Sequence, residues 1–181
     1  KVLGPKLVCV LIQLPPSFAN SEMNRQRLMA LAELVPNNLR IAVEFRNVSW
    51  LVQSTYVLFK QLNWTVVGTY IVKKPNSSWV GTMPAGLFMP PTTCSYNYLR
   101  IHGKRGWKGE LSKQQLTKLR KELGRRRTTL SFVMFNNSFF EPRSKTCKVN
   151  NNVIKSAAVC NAVEFTDLVR TRRTNRLRIS N

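Results

Sequence analysis

Residues 39–46 read Leu-Arg-Ile-Ala-Val-Glu-Phe-Arg, an apolar run that ends in charged side chains. Burying a charge among apolar neighbours costs free energy unless the charge is paired or used. Similar runs end in Arg-Ile-His-Gly at residues 100–103 and in Phe-Asn-Asn at residues 135–137. Because all three runs carry costly polar groups at their C-terminal ends, we expect these groups to share one site.

Apolar, β-branched runs predict five strands, at residues 6–13, 39–46, 64–72, 95–102 and 128–136. Stretches with helical spacing lie between and after them, at residues 21–35, 50–62, 112–123 and 153–169. The polar stretches at residues 73–93, 103–109 and 138–152 are predicted loops. Alternating strands and helices are typical of a parallel sheet with crossover helices. The predicted fold class is therefore α/β, either an open doubly wound sheet or part of a (β/α)8 barrel.

Strand alternation predicts which side chains face together. Glu44 and Arg46 share one face of their strand, Arg100 and His102 share a face of theirs, and Gln13 ends the first strand. Aliphatic residues on the opposite faces suit packing under helices, whereas the polar set suits the interior of a barrel. Barrel enzymes place their sites at the C-terminal ends of the strands, where these polar groups lie. No Gly-rich phosphate loop follows the first strand, which argues against nucleotide binding of that kind.

Each of these residues also has a structural interpretation. Glu44 with Arg46 or Arg100 is equally a buried ion pair that fixes strand register. His102, the single histidine, is equally a hydrogen-bonded polar group without a role in chemistry. The amides of Gln13, Asn136 and Asn137 are equally caps for loop backbone.

The net charge of +21 is extreme, and most of it lies in the second half of the chain. Residues 1–100 carry a net +7 and residues 101–181 a net +14. Such a field attracts phosphate polymers and other anionic surfaces, so nucleic acid is a predicted partner, although a solvated basic surface explains the charge as well. No apolar run approaches the roughly 18 residues that a membrane-spanning helix needs.

The four cysteines, at positions 9, 94, 147 and 160, are widely spaced and accompany one histidine, so no metal site is predicted. A reduced, intracellular protein is the simpler interpretation, and the compartment is otherwise left open.

The chain resembles the YecE-like family, a domain of unknown function. The matching stretches run in order along nearly the whole sequence: Gly4-Pro5-Lys6-Leu7, Gln13-Leu14-Pro15-Pro16-Ser17-Phe18, Ala42-Val43-Glu44-Phe45-Arg46 with Ser49-Trp50, Arg100-Ile101-His102-Gly103, Phe135-Asn136-Asn137 and Ala158-Val159-Cys160-Asn161-Ala162. The resemblance implies a TIM-barrel-like fold without an assigned activity. The resemblance also implies that the polar residues in these stretches line a pocket: Gln13, Glu44, Arg46, Arg100, His102, Asn136 and Asn137.

Family members have opening strands and a Gly-Thr-Ser-Gly-Trp-like segment that this sequence lacks. The resemblance therefore implies a C-terminal portion, a partial TIM-like barrel with about five mostly parallel strands and the N-terminal strands missing. We expect residues 1–170 to form this single incomplete domain and residues 171–181 a basic tail. A fragment or truncated gene product is expected, whose open sheet edges pair with the missing N-terminal region or with another chain.

The leading functional prediction is a pocket at the barrel mouth for a small anion that bears phosphate or carboxylate. Glu44 and His102 are the predicted catalytic residues, and the predicted ligand-binding residues are Gln13, Arg46, Arg100, Asn136 and Asn137. No metal is predicted, no cofactor is identified, and whether the chain is an enzyme is left open. The alternatives are a nucleic-acid-binding protein that acts through its basic C-terminal half, and an inactive truncated remnant.

Overall fold

The computed structural model describes residues 3–71, 83–103, 109–126, 128, 130–136 and 146–177. These residues form four α-helices: α1 (Glu22–Leu34), α2 (Gln53–Gln61), α3 (Lys113–Gly124) and α4 (Ala157–Leu177). They form nine strands: β1 (Val10–Gln13), β2 (Ile41–Glu44), β3 (Thr65–Val66), β4 (Gly68–Ile71), β5 (Gly86–Phe88), β6 (Tyr96–Ile101), β7 (Leu130–Phe135), β8 (Thr146–Val149) and β9 (Asn152–Lys155). Short 3-10 turns cover Gly4–Lys6 and Val48–Trp50.

The first three strands form a parallel sheet in the order β1-β2-β3. A second sheet has the order β5-β4-β6-β7, in which β5 is antiparallel and the other pairs are parallel. Only Val67 separates β3 from β4, and its amide donates to the carbonyl of Val43 at 2.9 Å. The chain thus passes from one sheet into the next within a single predicted strand.

The predicted α/β class is confirmed as a mixed fold with parallel and mixed sheets. All five predicted strands are present, the third being divided into β3 and β4. In the described part of the chain the strands do not close into a barrel, because β1 pairs only with β2 and β7 only with β6. The finer prediction of a partial TIM-like barrel is taken up below as a proposal.

Helix starts follow local hydrogen-bonding chemistry. The Ser21 side chain accepts a hydrogen bond from the amide of Asn24 and so caps α1. Ser112 and Gln115 form a capping box at the start of α3. Both helices begin within a residue of the predicted position.

Two hydrophobic clusters attach the helices to the sheets. The first packs strand residues Ile41 and Val43 against Leu28 of α1 and Phe59 of α2. The second packs β4 and β6 against α3 and α4, through the residues Tyr70, Leu99, Ile101, Leu111, Leu116, Leu119 and Phe165. Strand alternation therefore turns the opposite faces of β2 and β6 away from the helices.

Two predicted loops contain strands. Residues 73–93 include β5, and residues 138–152 include β8 and the start of β9. The predicted last helix at 153–169 is also shifted, because β9 runs to Lys155 and α4 begins at Ala157. Asn150 and Asn151 have positive φ angles of 48° and 66°, a backbone conformation that asparagine tolerates and that suits the tight turn of the β8–β9 hairpin.

The prediction of reduced cysteines is wrong for one pair, since Cys147 and Cys160 form a disulfide. Cys9 and Cys94 are free thiols. The hairpin brings Cys147 to the first turn of α4, a contact that sequence spacing alone does not indicate.

Helix α4 continues to Leu177, so the predicted domain boundary at residue 170 falls inside a helix. The division into a domain and a basic tail stays a prediction. Among the described helices, none is both long and apolar enough to cross a membrane.

Candidate functional site

A buried carboxylate stands at the C-terminal end of β2. Glu44 is 3% exposed, and its Oε2 accepts hydrogen bonds from Gln13 Nε2 at 3.1 Å and from an Arg100 guanidinium nitrogen at 2.5 Å. Its Oε1 accepts from Arg46 Nε at 3.4 Å. Three donors from three places in the sequence thus meet one carboxylate, and we call these four residues the Glu44 cluster.

Strand register builds this cluster. Gln13 and Glu44 are directly paired at the ends of β1 and β2, so their side chains leave the sheet side by side. Arg100 lies at the same end of β6, on the face opposite to Leu99 and Ile101, which pack under α3. The prediction that strand ends bring these groups together therefore describes the observed contacts.

The cluster has a graded exposure to solvent. The side chain of Glu44 is 4% exposed, that of Arg100 12% and that of Arg46 24%. A carboxylate in this setting needs charge-assisted hydrogen bonds to offset its desolvation, and the two arginines supply them. Arg46 is the most accessible of the three charged groups.

His102 follows β6 and is buried, with 1% exposure, while its amide donates to the carbonyl of Tyr70 at 2.8 Å. Burial lowers the pKa of His102 to about 4; Glu44 acts to raise it, and the arginines at 100 and 46 act to lower it. These electrostatic effects place the imidazole beside the Glu44 cluster. The ring is therefore neutral at neutral pH.

Asn136 lies at the same edge of the sheet but differs from the cluster residues. Its amide donates to the carbonyl of Ile101 at 2.7 Å, which places its backbone beside the end of β6. The residue is exposed, and within the described residues its side chain makes no hydrogen bond to the Glu44 cluster. Asn137 lies outside the described residues.

Tyr98 belongs beside this site although it was not among the predicted site residues. It lies two residues before Arg100 on the same face of β6, is 9% exposed, and packs with Ala42 and Val67. Burial raises the pKa of its phenol, and both Arg100 and Glu44 influence that pKa. The alternation of β6 already carried this signal, because Tyr98, Arg100 and His102 occupy every second position.

Among the described residues, no group of three or more His, Cys, Asp or Glu side chains could hold a metal ion. Glu44 is one carboxylate held between two guanidinium groups, whose positive charge opposes a cation. The cluster is chemically suited to an anion instead, since the arginines present N–H groups in the fork geometry that carboxylate and phosphate accept.

Fold and site together define a mixed α/β protein with a buried carboxylate bound by two arginines where its parallel strands end. A sequence profile of DUF72, described as a protein of unknown function, matches residues 1–180. The chain therefore belongs to the DUF72 family, which is the YecE-like family that the sequence motifs predicted.

Solved structures of DUF72 family proteins share the fold. One from Thermotoga maritima is 28% identical, with a TM-score of 0.64 over 88% of this chain and 56% of that chain. Another, from Enterococcus faecalis, is 20% identical, with a TM-score of 0.69 over 93% of this chain and 63% of that chain. No curated protein matches this chain.

The chain thus spans about 56% to 63% of the length of these two relatives. That the matched part is their C-terminal portion stays a prediction.

Proposed function

We propose that the Glu44 cluster binds a small anionic ligand that bears a carboxylate or phosphate group. The observation that supports this most strongly is the convergence of two partly exposed arginines on one buried carboxylate. One negative and two positive groups leave an excess positive charge, and the neutral His102 does not change it. A bound anion balances this excess.

The proposed ligand occupies the outer side of the cluster. The side chain of Arg46 is 24% exposed, so its guanidinium group lies on this outer side. Arg100 and Gln13 are held by the same carboxylate, so their positions are set before a ligand arrives. Preorganised donors lose little conformational freedom on binding, which favours affinity. Asn136 and Asn137 are proposed to contact the part of the ligand that faces the end of β7.

The proposed roles of Glu44 and His102 differ. Three donors occupy the oxygens of Glu44, which favours a role in positioning the arginines over the predicted role as general acid or base. His102 is the proposed group that polarises an oxygen of the ligand if the ligand reacts, because a neutral imidazole donates a hydrogen bond and its pKa of about 4 makes it a weak base.

We also propose that the two sheets are part of a TIM-like (β/α) barrel, with the Glu44 cluster at its mouth. The parallel strand orders β1-β2-β3 and β4-β6-β7 support this arrangement, as do the helices α1 between β1 and β2, α2 between β2 and β3, and α3 between β6 and β7. So does the place of the cluster at C-terminal strand ends, the position of active sites in such barrels.

Isothermal titration with inorganic phosphate and with succinate tests the anion site. At least one probe should bind the protein, and Arg46→Gln should weaken that binding by roughly tenfold or more, as expected for the loss of a charge-assisted hydrogen bond. Arg40→Gln is the matched control, because it removes the same charge at the start of β2 and should leave binding unchanged. Binding of neither anion, or equal loss in both variants, would refute the proposal.

A second candidate function is nucleic-acid binding, and the exposed face of α3 favours it. Lys118, Lys121 and Arg125 are exposed and lie at helical spacing on one face. The apolar side of α3 packs on Leu99 and Ile101, so these cations lie on the other side of the sheet from the Glu44 cluster. Cations without exposed apolar neighbours suit a phosphate backbone better than a membrane interface.

Filter binding of a labelled RNA and DNA oligonucleotide at increasing salt tests this second function. Affinity should fall steeply with salt. The double variant Lys118→Gln/Lys121→Gln should bind more weakly, and the slope of its salt dependence should fall by the equivalent of about one to two phosphate contacts. The control double variant Arg27→Gln/Lys60→Gln removes the same charge from α1 and α2 and should reduce the affinity for the oligonucleotide less. Equal effects of both double variants would indicate unspecific charge attraction and refute an α3 surface.

A further inference from the structure

The β8–β9 hairpin is joined to the body of the protein by a covalent link. Cys147 of β8 and Cys160 in the first turn of α4 form a disulfide with their Cα atoms 5.3 Å apart. Cys160 is 3% exposed, whereas Cys147 is half-buried. The bond therefore has one sheltered and one more accessible end.

Little else in the described residues holds this hairpin. It is a two-stranded sheet of its own, paired with no other described strand. Five of its eight strand residues are exposed, including Val153 at 68%. Isolated two-stranded hairpins are marginally stable in water, so contact with α4 must supply most of the stability of β8 and β9.

A cavity gives access to the disulfide. It has a volume of about 380 Å³, and both cysteines line it, together with Lys113, Val163, Glu164, Asp167 and Leu168. A thiol that enters this cavity can approach the sulfur of Cys147. The leaving group is then Cys160, which lies in the first turn of α4.

We propose that the Cys147–Cys160 disulfide is a redox modification site whose reduction by a dithiol releases the β8–β9 hairpin from α4. A reductant thiolate attacks the sulfur of Cys147, the bond between the cysteines breaks, and Cys160 leaves as a thiolate that takes up a proton. The second thiol of the reductant then attacks the mixed disulfide and frees Cys147. Two electrons and two protons pass to the cysteines, and the dithiol becomes a disulfide.

The mechanism of thiol–disulfide exchange favours a dithiol over a monothiol as the reductant. After the first step, Cys160 stays next to the mixed disulfide and can attack it again, which expels a monothiol and restores the original bond. A dithiol completes its own second step within the same molecule and so escapes this reversal. Reduction then leaves the hairpin joined to α4 by the backbone at Ser156 and by non-covalent contacts.

Hydrogen exchange on the full chain, with and without dithiothreitol, tests the proposal. Thiol counting on the unfolded, unreduced protein should find two free thiols, and four after reduction. Reduction should speed amide exchange in β8 and β9 by at least roughly tenfold, because the closed loop no longer restricts local opening. Amides of α1 should keep their exchange rates.

Matched serine variants separate the proposed site from the free thiols. Cys147→Ser should show fast hairpin exchange with or without dithiothreitol, whereas Cys9→Ser should keep the response of the unaltered protein. Four free thiols before reduction, or hairpin exchange unchanged by complete reduction, would overturn the proposal. Hydrogen exchange of the unaltered protein with and without dithiothreitol tests the proposal even if a variant does not fold.

Discussion

Glu44 shows how one buried side chain depends on distant parts of the sequence. Its donors come from residues 13, 46 and 100, and Arg100 lies 56 positions away along the chain. Each partner alone is an uncompensated polar group at the edge of the sheet. The ion pair therefore stabilises the protein mainly because breaking it leaves buried charge behind.

Replacing Glu44 by Gln should lower the free energy of unfolding by about 2–4 kcal/mol, because two partly buried guanidinium groups lose their counter-ion. Urea denaturation measures this loss. The exposed Glu33→Gln should change stability by less than about 0.5 kcal/mol. The double variant Glu44→Gln/Arg100→Gln should lose less than the sum of the two single losses, and strict additivity would contradict the described pairing.

His102 should make stability depend on pH. Its pKa is about 4 in the folded protein and 6.5, the ordinary value of histidine, in the unfolded chain, so the unfolded chain takes up a proton over a range in which the folded protein does not. Stability should therefore fall as the pH drops from about 6.5 towards 4. Between pH 7.5 and pH 5 the protonation of His102 in the unfolded chain should lower the free energy of unfolding by about 2 kcal/mol.

The test compares urea denaturation of the protein and of His102→Gln at both pH values. Acidic residues titrate in both proteins, so the difference between them isolates the histidine. If the two proteins lose the same stability on acidification, the buried, neutral imidazole is refuted.

At the scale of elements, close packing between strands decides where a side chain fits. Gly68 begins β4, and a Cβ atom placed there would lie 2.8 Å from Leu99 Cδ1 and 3.0 Å from the carbonyl oxygen of Phe88. Leu99 is fully buried, and Phe88 belongs to the neighbouring strand β5. Only glycine allows β4 to approach β5 and β6 this closely.

Gly68→Ala should destabilise the protein by about 1–3 kcal/mol, since the added methyl group overpacks a site bounded by backbone. Thermal or urea unfolding measures the change. Gly124→Ala, at the exposed last residue of α3, provides a glycine-to-alanine control and should be neutral or slightly stabilising. Equal stability of Gly68→Ala and the unaltered protein would contradict the described packing of β4.

Element prediction succeeded where burial imposes a period. Residues 39–46 and 95–102 alternate between two buried environments, so their strands could be predicted from the order of apolar residues. The strand β5 and the β8–β9 hairpin are three or four residues long per strand and are only partly buried or exposed, so their apolar residues give a weak signal. The strand β5 depends on its pairing with β4, and the hairpin depends on contact with α4, so neighbouring residues in the sequence do not indicate these strands.

At the scale of the whole molecule, Tyr96 connects the two sheets. Its hydroxyl, on β6, accepts a hydrogen bond from the amide of Ile41 at 2.9 Å and donates to the carbonyl of Ile41 at 3.0 Å. Ile41 begins β2 in the other sheet, and both residues are buried. One side chain of the second sheet thus forms hydrogen bonds with the backbone of the first sheet.

Tyr96→Phe should lower the free energy of unfolding by about 1–3 kcal/mol, because it leaves the buried amide and carbonyl of Ile41 without this partner. Calorimetry or urea unfolding measures the loss. Tyr56→Phe removes a hydroxyl from a half-buried tyrosine of α2 and serves as the matched control. Equal effects of the two variants would mean that the hydroxyl of Tyr96 does not join the sheets.

Much of the candidate site was predictable from sequence, and the reason is strand geometry. Gln13, Glu44 and Arg100 each end a strand, and parallel strands place such residues at one edge. Tyr98 was missed as a site residue although its position on β6 matches that of Arg100. The contact between Cys147 and Cys160 could not be predicted, because it depends on the path of a hairpin whose turn has no periodic signal.

The succession of strands and helices along the chain, the helix starts and the placing of costly polar groups at strand ends follow from the sequence alone, because each arises from neighbouring residues and their burial pattern. Tertiary structure alone decided that Gln13 and Arg100 meet at one oxygen of Glu44, that Tyr96 reaches Ile41 and that Cys147 pairs with Cys160. These contacts join residues that are far apart along the chain or separated by a turn. They form only when whole elements pack and bury their apolar faces together.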